Sequence, residues 1–263
     1  MSILVAMILG FIEGATEFLP VSSSGHLIIA RQIFGINTAG GLSFDAVLQL
    51  ATSLALLVYF WRDIWNLAIS FFDWIRGREV SDGQKTLIKV IILGTIPAVI
   101  FGLLLEKKMD TVFRNIHLVA LTLILGSILF WIAERFAKQN KVLNLGRGIA
   151  VGFFQCLALV PGVSRSGATI SGGLLLGLSK EEAVRFSFLL SIPVLFGSGL
   201  KKLFEVRGEL LTGSFGLPLL LGSIVAFVTG ILAINFLIRY LKEHTLNIFI
   251  YYRILLAIFI FFI

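Results

Sequence analysis

Long apolar segments separated by short polar connections dominate the sequence. Six of these segments reach the roughly 20 residues that a helix needs to cross a bilayer. They lie at about 43–61, 87–105, 116–134, 183–204, 217–239 and 247–263. Because a segment surrounded by lipid must satisfy its own backbone hydrogen bonds, each is predicted to be a helix. The pattern therefore predicts an all-α polytopic membrane protein, with residues 1–263 forming a single integral membrane domain.

Two other apolar runs are broken in the middle by polar and turn-forming residues. The first break covers Glu13–His26 and contains Pro20, and the second covers Gln155–Thr169 and contains Pro161. Irregular backbone at membrane depth is tolerated only where it lines a wet cavity or packs within protein. Each run is therefore predicted to be a re-entrant helix hairpin that enters and leaves the membrane on one side.

The two broken runs are copies of each other. Gly10–Gly35 aligns with Gly152–Gly177 without a gap, and the identical positions include several serines and glycines. Where the first copy has Ser23, the second has Arg165. The copies have therefore kept different polar groups, which is expected when a duplication has specialised.

One hairpin and three transmembrane helices make up a copy, in about residues 1–140, and the same set follows in about residues 141–263. Since three is an odd number of crossings, the second copy is inverted relative to the first. The sequence therefore predicts an inverted duplication in which the two hairpin tips enter from opposite sides and meet near the middle of the membrane.

The composition agrees with a membrane protein and excludes a soluble one. Charged residues make up only 14% of the chain, whereas they make up about 25% of a soluble domain. The net charge of +7 does not indicate a nucleic-acid partner, because lysine and arginine lie in the short connections and form no stripe. The single cysteine, Cys156, excludes a disulfide or a thiolate metal site within one chain.

Two glutamates in the first broken run point to a metal site. Glu13 and Glu17 are four residues apart, so their carboxylates lie on one face of a helix. Two such charges in a poorly solvated place cannot both stay ionised unless they share a proton or a cation lies between them. We expect Glu13 and Glu17 to bind a divalent cation, Mg²⁺ in the first instance and Ca²⁺ in the second. The rival interpretation is a proton or cation path for transport.

The polar tips of the two predicted hairpins, Ser22–His26 and Pro161–Thr169, also carry the features of an anion site. Each tip opens a helix, whose first backbone N–H groups attract negative charge, and Arg165 adds a planar guanidinium that binds phosphate in bidentate fashion. Two such sites facing each other suit a diphosphate. The alternative is that the glycines and serines only allow close helix packing. The expected substrate-binding residues are Ser22, Ser24, Gly25, Ser164, Ser166, Gly167 and Thr169.

The first tip contains a candidate nucleophile with an acid and a base. Ser23 needs a base in order to attack phosphorus, and Glu17 is within reach if the turn at Pro20 folds back. His26 follows one helical turn after Ser23 and is a candidate proton donor or orienting group, because imidazole ionises near neutral pH. The predicted catalytic residues are Glu17, Ser23, His26 and Arg165. Three further polar residues are expected to support the same cavity, namely Asp45, Gln49 and Gln155.

Two motifs in the chain resemble the signatures of a known family. The first is E-G-A-T-E at Glu13–Glu17, followed by P-V-S-S-S-G-H at Pro20–His26, and the second is P-G-V-S-R-S-G-A-T at Pro161–Thr169. Together they resemble the undecaprenyl-diphosphate phosphatase family of bacteria, the bacitracin-resistance type. The resemblance covers essentially the full chain, and the one variation is Ser24, where the family often has threonine.

The resemblance implies a multi-pass enzyme of the bacterial plasma (inner) membrane. Such an enzyme hydrolyses undecaprenyl diphosphate to undecaprenyl phosphate and inorganic phosphate. The reaction recycles the lipid carrier for peptidoglycan synthesis, on which cell wall biogenesis and cell shape depend, and it is linked to bacitracin resistance. The partners implied are the polyprenyl diphosphate lipid and the membrane, with no nucleic acid, and a homodimer is left open.

The resemblance also assigns roles by position. Glu13 and Glu17 would form the acidic motif that binds the metal or activates the nucleophile. Ser23 would be the nucleophile, with His26 as the competing candidate or its proton partner. Arg165, with Ser164, Ser166 and Thr169, would hold the diphosphate. The alternative function is a transporter or flippase of a polyprenyl phosphate, because inverted repeats and re-entrant hairpins are common among carriers.

Overall fold

The structure of the chain, a computed structural model, describes residues 1–36, 38–110, 115–211 and 216–262. These residues form eleven α-helices, which confirms the prediction of an all-α protein. In chain order they are α1 (Ile3–Phe18), α2 (Ser23–Phe34), α3 (Thr38–Tyr59), α4 (Trp61–Ile75), α5 (Asp82–Asp110), α6 (Ile116–Phe136), α7 (Leu145–Leu157), α8 (Arg165–Leu175), α9 (Lys180–Leu211), α10 (Gly216–Glu243) and α11 (Asn247–Ile260).

Four of the described helices are long and apolar enough to cross a membrane, namely α5, α6, α9 and α10. A fifth crossing results if α3 and α4 are taken together as one span that is bent by 75° between Tyr59 and Trp61. Because several apolar helices of this length cannot all be covered by one another, the chain is a multi-pass membrane protein.

The sixth predicted crossing, at 247–263, is wrong as a full span. Helix α11 has 14 residues, which is about 21 Å at 1.5 Å per residue. The hydrocarbon core of a bilayer is about 30 Å thick. The apolar run is long enough in sequence, but Phe261 and Phe262 form a turn and do not extend the helix.

Glycines allow the first helix of each broken run to pack closely against a span. A Cβ atom added at Gly10 in α1 would lie 2.9 Å from the carbonyl carbon of Gly222 in α10. At the aligned position in α7, a Cβ atom added at Gly152 would lie 2.7 Å from the Cα atom of Gly94 in α5. Only glycine permits this approach, so the two positions determine how α1 packs on α10 and how α7 packs on α5.

A buried cluster of aromatic and aliphatic side chains surrounds the ends of the broken runs. The ring of Phe18, at the end of α1, packs edge-on against Phe188 in α9 with centroids 5.9 Å apart. The ring centroid of Phe60 lies 5.9 Å from that of Phe188. Phe130 of α6 and Ile170 of α8 belong to the same cluster. The cluster therefore joins elements from both halves of the chain.

A buried arginine in α11 binds the two turns that connect α1 to α2 and α7 to α8. The guanidinium of Arg253 donates to the carbonyl oxygen of Pro20 in the first turn at 3.4 Å. It also donates to the carbonyl oxygens of Gly162 and Val163 in the second turn, at 2.9 and 3.1 Å, and to Ser127 Oγ in α6 at 3.2 Å. Because an unsatisfied backbone carbonyl is costly at membrane depth, this one side chain stabilises both turns.

We expect Gly152→Ala to lower the midpoint of thermal unfolding in detergent by several degrees, because the new methyl group would overlap the backbone of Gly94. Overpacking of this kind costs about 1–3 kcal/mol. Gly197→Ala in α9 is the matched control, since nothing lies within 4 Å of the added Cβ atom and alanine favours a helix more than glycine does. Equal midpoints for the two variants would contradict the close approach of α7 and α5.

We expect Arg253→Met to destabilise the chain more strongly, because several buried carbonyl oxygens lose their donor at once, each worth about 1–3 kcal/mol. Limited proteolysis should then cut within the turns at 19–22 and 158–164, which should resist cleavage in the unaltered protein. Arg239→Met in α10, where the arginine is exposed, is the control. Unchanged cleavage and unchanged unfolding in Arg253→Met would show that the turns do not depend on this arginine.

Candidate active site

The turns that lead into α2 and α8 share an unusual backbone conformation. Ser22 has a φ of 76° and Ser164 has a φ of 75°, a region that residues other than glycine rarely occupy. Each Oγ caps its helix by accepting the N–H of the residue three positions later, Gly25 or Gly167, at 3.3 Å. Strained conformations of this kind persist where surrounding contacts enforce them, and they cluster at functional sites.

The two turns are in direct contact. The N–H of Gly162 donates to Ser22 Oγ at 3.0 Å, so the hydroxyl that caps α2 also binds the second turn. Thr122 of α6 donates to the carbonyl oxygen of Pro161 at 2.6 Å and supports the second turn from its other side. Side chains carried by the two turns are therefore brought within hydrogen-bonding distance of one another.

The carboxylate of Glu17 lies between a hydroxyl from the first turn and a guanidinium from the second. Ser23 Oγ donates to Glu17 Oε2 at 2.5 Å, and Arg165 Nη2 donates to Glu17 Oε1 at 3.1 Å. The side chains of Glu17 and Arg165 are only 8% and 10% exposed. The structure therefore brings Ser23, Glu17 and Arg165 together, with the carboxylate positioned to accept the serine proton.

The guanidinium of Arg165 retains buried donors that the protein does not use. Its Nε and Nη1 atoms have no hydrogen-bond partner among the described residues. Leaving such donors unsatisfied costs about 1–3 kcal/mol or more for a charged group. A phosphate oxygen is a suitable acceptor, because guanidinium binds phosphate through two parallel hydrogen bonds.

A cavity of about 600 Å³ adjoins this group. Four of the predicted site residues line it, namely Glu13, Glu17, Ser23 and Ser24. Its wall is largely apolar where α5 and α9 approach each other. That wall is formed by Ala98, Val99, Gly102 and Leu103 of α5 and by Pro193, Val194, Gly197 and Ser198 of α9. Val99 and Leu103 of this wall are exposed, so apolar surface is available to a ligand on this side of the cavity.

The other predicted substrate-binding residues form the framework of the tips and do not line the cavity. Ser22, Ser164, Gly25 and Gly167 make the two helix caps. Thr169 Oγ1 donates to the carbonyl oxygen of Arg165, four residues earlier, at 2.8 Å. It also lies 2.5 Å from Ser187 Oγ in α9, and Ser166 Oγ lies 3.3 Å from Ser164 Oγ.

His26 faces away from the cavity and binds a residue of α11. Its Nδ1 atom lies 2.7 Å from the carbonyl oxygen of Ser22, and its Nε2 atom lies 2.7 Å from the hydroxyl of Tyr252. The two rings are stacked with an interplanar angle of 4°. Both ring nitrogens are therefore engaged, and neither is directed at Ser23.

Three polar residues near the site were missed by the motif analysis. Arg31 lines the cavity and is buried in an ion pair with Asp45, 2.5 Å away. Tyr252 and Arg253 bind the tips from α11. For Arg31 and Arg253 the available signal was a charged residue inside an apolar segment, which is expensive at membrane depth and therefore functional or structural by default. No such signal marks Tyr252. Asp45 and Gln49, expected as supporting residues, do line the cavity.

Glu13 and Glu17 are the two carboxylates on the cavity side of α1 that would hold a divalent cation. Both are largely buried, lie one turn apart on α1 and face the cavity. Within the described ranges, no group of three or more His, Cys, Asp or Glu side chains comes together. Mg²⁺ commonly takes one or two carboxylates and completes its shell with water and substrate phosphates. The two glutamates therefore fit Mg²⁺ bound together with a phosphate ligand.

Comparison with known proteins connects this site to a family. A family described as bacitracin resistance protein BacA matches residues 6–259. A protein named undecaprenyl-diphosphatase from Mycobacterium sp. (strain KMS) is 45% identical over 264 residues, which cover 98% of this chain and 95% of the relative. A protein of the same name from Moorella thermoacetica is 44% identical over 260 residues, with 98% and 96% covered.

A third protein named undecaprenyl-diphosphatase, from Thermobifida fusca, is 40% identical over 264 residues, which cover 99% of this chain and 89% of the relative. The match to the family extends over nearly the whole chain and includes both tips. The resemblance inferred from the two motifs is therefore confirmed, and the chain belongs to the bacitracin resistance protein BacA family.

Proposed function

We propose that this chain hydrolyses undecaprenyl diphosphate to undecaprenyl phosphate and inorganic phosphate in the bacterial inner membrane. The observation that carries the proposal is the carboxylate of Glu17, which binds the Ser23 hydroxyl and the Arg165 guanidinium at the wall of one cavity. The relatives named undecaprenyl-diphosphatase supply the identity of the lipid. The apolar wall between α5 and α9 suits a polyprenyl chain.

In the first step Ser23 Oγ attacks the terminal phosphorus, and its proton passes to Glu17 Oε2. The bond between that phosphorus and the bridging oxygen breaks, and undecaprenyl phosphate leaves as an anion. Arg165 acts on the same phosphoryl group, because its unused Nε and Nη1 donors hold the oxygens on which charge develops. This residue therefore serves both to orient Glu17 and to stabilise the transferring group.

In the second step water attacks the phosphorus of phosphoserine. The bond between Ser23 Oγ and phosphorus breaks, and Oγ regains its proton from Glu17. Inorganic phosphate carries away the oxygen and both protons of the water. The same carboxylate thus acts first as a base and then as an acid, as expected for a two-step transfer.

Glu13 and Glu17 would hold a divalent cation, Mg²⁺ or alternatively Ca²⁺, on the cavity side of α1. When bound, the cation neutralises negative charge on the phosphate oxygens and so favours attack by an oxygen nucleophile. Glu13 has no other task in the mechanism. It lies one turn before Glu17 and lines the same cavity.

We also propose that the fold is an inverted duplication with two re-entrant hairpins, α1–α2 and α7–α8. The matched backbone of Ser22 and Ser164 supports this arrangement. The aligned glycines Gly10 and Gly152 support it as well, since each packs its helix on a span from the other half of the chain. In this arrangement the catalytic group is assembled from one tip of each copy.

Phosphate release from an isoprenyl diphosphate tests the proposed function. The purified protein in detergent, with no gradient present, should release inorganic phosphate and lose this activity on addition of a chelator. Ser23→Ala, Glu17→Gln and Arg165→Ala should each lower kcat by about 10²-fold or more, because they remove the nucleophile, its base and the group that stabilises the developing charge, respectively.

Ser223→Ala in α10 is the control for loss of a helical hydroxyl, since Ser223 bonds only within its own helix among the contacts described. It should release phosphate at the unaltered rate. Absence of release by the unaltered protein, or release that none of the three substitutions affects, would favour the alternative of a polyprenyl phosphate transporter or flippase.

A further inference from the structure

Two neighbouring residues of α11 hold the catalytic tips, and they do so in different ways. Arg253 binds backbone carbonyls of both turns, whereas Tyr252 binds the imidazole of His26 through its hydroxyl. The second contact joins residues that are far apart in sequence, and it combines a hydrogen bond with ring stacking. It therefore fixes the orientation of His26 closely.

The hydrogen bonds of His26 show how its ring supports the turn that contains Ser22. A carbonyl oxygen only accepts, so the Nδ1 atom that faces the carbonyl of Ser22 carries a proton. In neutral imidazole Nε2 then accepts the Tyr252 hydroxyl proton. The same carbonyl also accepts the backbone N–H of His26 at 3.2 Å. The ring therefore anchors the carbonyl of Ser22 and is not placed to meet a substrate.

Ser22 is the residue whose conformation directs Ser23. Its φ is in the left-handed region, and all its polar groups other than the N–H have partners. The hydroxyl binds Gly25 and Gly162, and the carbonyl binds His26. Because Ser23 follows directly, rotation about Ser22 would move Ser23 Oγ away from Glu17.

We propose that Tyr252 is a positioning residue for the reaction, which acts through His26 and the Ser22 carbonyl to direct Ser23 Oγ toward Glu17. This inference rests on the proposed function. It assigns His26 to the same positioning chain, although sequence analysis named it as a competing nucleophile or proton donor.

Tyr252→Phe tests the proposal because it removes only the hydroxyl and keeps the ring. We expect kcat for isoprenyl diphosphate hydrolysis to fall about tenfold, the effect of roughly 1.4 kcal/mol in the barrier, while KM changes less than about twofold. Tyr251→Phe is the matched control, since this neighbour is 65% exposed, and it should leave kcat unchanged. An unchanged kcat in Tyr252→Phe, with the unaltered protein active, overturns the proposal.

A double-variant cycle shows whether Tyr252 acts through His26. In a His26→Ala background, Tyr252→Phe should produce no further loss, because the chain to Ser22 is already broken. His26→Asn keeps an N–H donor near the Nδ1 position and should retain clearly more activity than His26→Ala. Additive losses, or equal losses for His26→Asn and His26→Ala, would show that the imidazole has its own chemical role. An unaltered protein without phosphate release would instead overturn the proposed function.

Discussion

The carboxylate of Glu17 imposes the strongest constraint on this structure. A charged group away from water requires a partner, since its desolvation costs several kcal/mol. Glu17 has two partners, and one of them, Arg165, comes from the other half of the chain. Removing either member of such a buried pair leaves an uncompensated charge, which is more costly than the loss of the pair as a whole. The two tips therefore stabilise each other electrostatically at the site where we propose that the reaction takes place.

The residues that hold the two turns in place are different from those proposed to react with the substrate. Serine hydroxyls at Ser22 and Ser164 cap helices, and Arg253 satisfies carbonyl oxygens in both turns. None of these groups lines the cavity. Because the framework residues satisfy the backbone, Ser23 Oγ and the Arg165 donors that have no partner among the described residues are not needed to hold the turns. A rigid arrangement of this kind lowers the reorganisation needed in the transition state.

The sequence contained enough information to predict that acids from one tip and an arginine from the other would share a site. Aligned copies and charged residues inside apolar runs carry that information locally. It did not predict the length of α11, because helix ends depend on packing more than on hydropathy. The 75° bend between α3 and α4 was not predicted either. The residue at the bend is Phe60, and a phenylalanine does not indicate a helix break as a proline or glycine would.

Contacts between residues that are far apart along the chain could not be predicted from the sequence either. Nothing local to Tyr252 or Arg253 indicates that they contact residues more than 200 positions away, such as Pro20 and His26. The role expected of His26 depended on its distance from Ser23 along the helix. The ring instead turns toward α11, because the carbonyl of Ser22 and the hydroxyl of Tyr252 satisfy both nitrogens.

The most direct test of the account is identification of the residue that carries the phosphoryl group during turnover. The purified protein would be mixed with an isoprenyl diphosphate, quenched rapidly under conditions that preserve both phosphoserine and phosphohistidine, and analysed by peptide mass spectrometry. The account predicts phosphate on Ser23, and its absence in Ser23→Ala. Phosphate on His26, or hydrolysis at the full rate in Ser23→Ala, would contradict it.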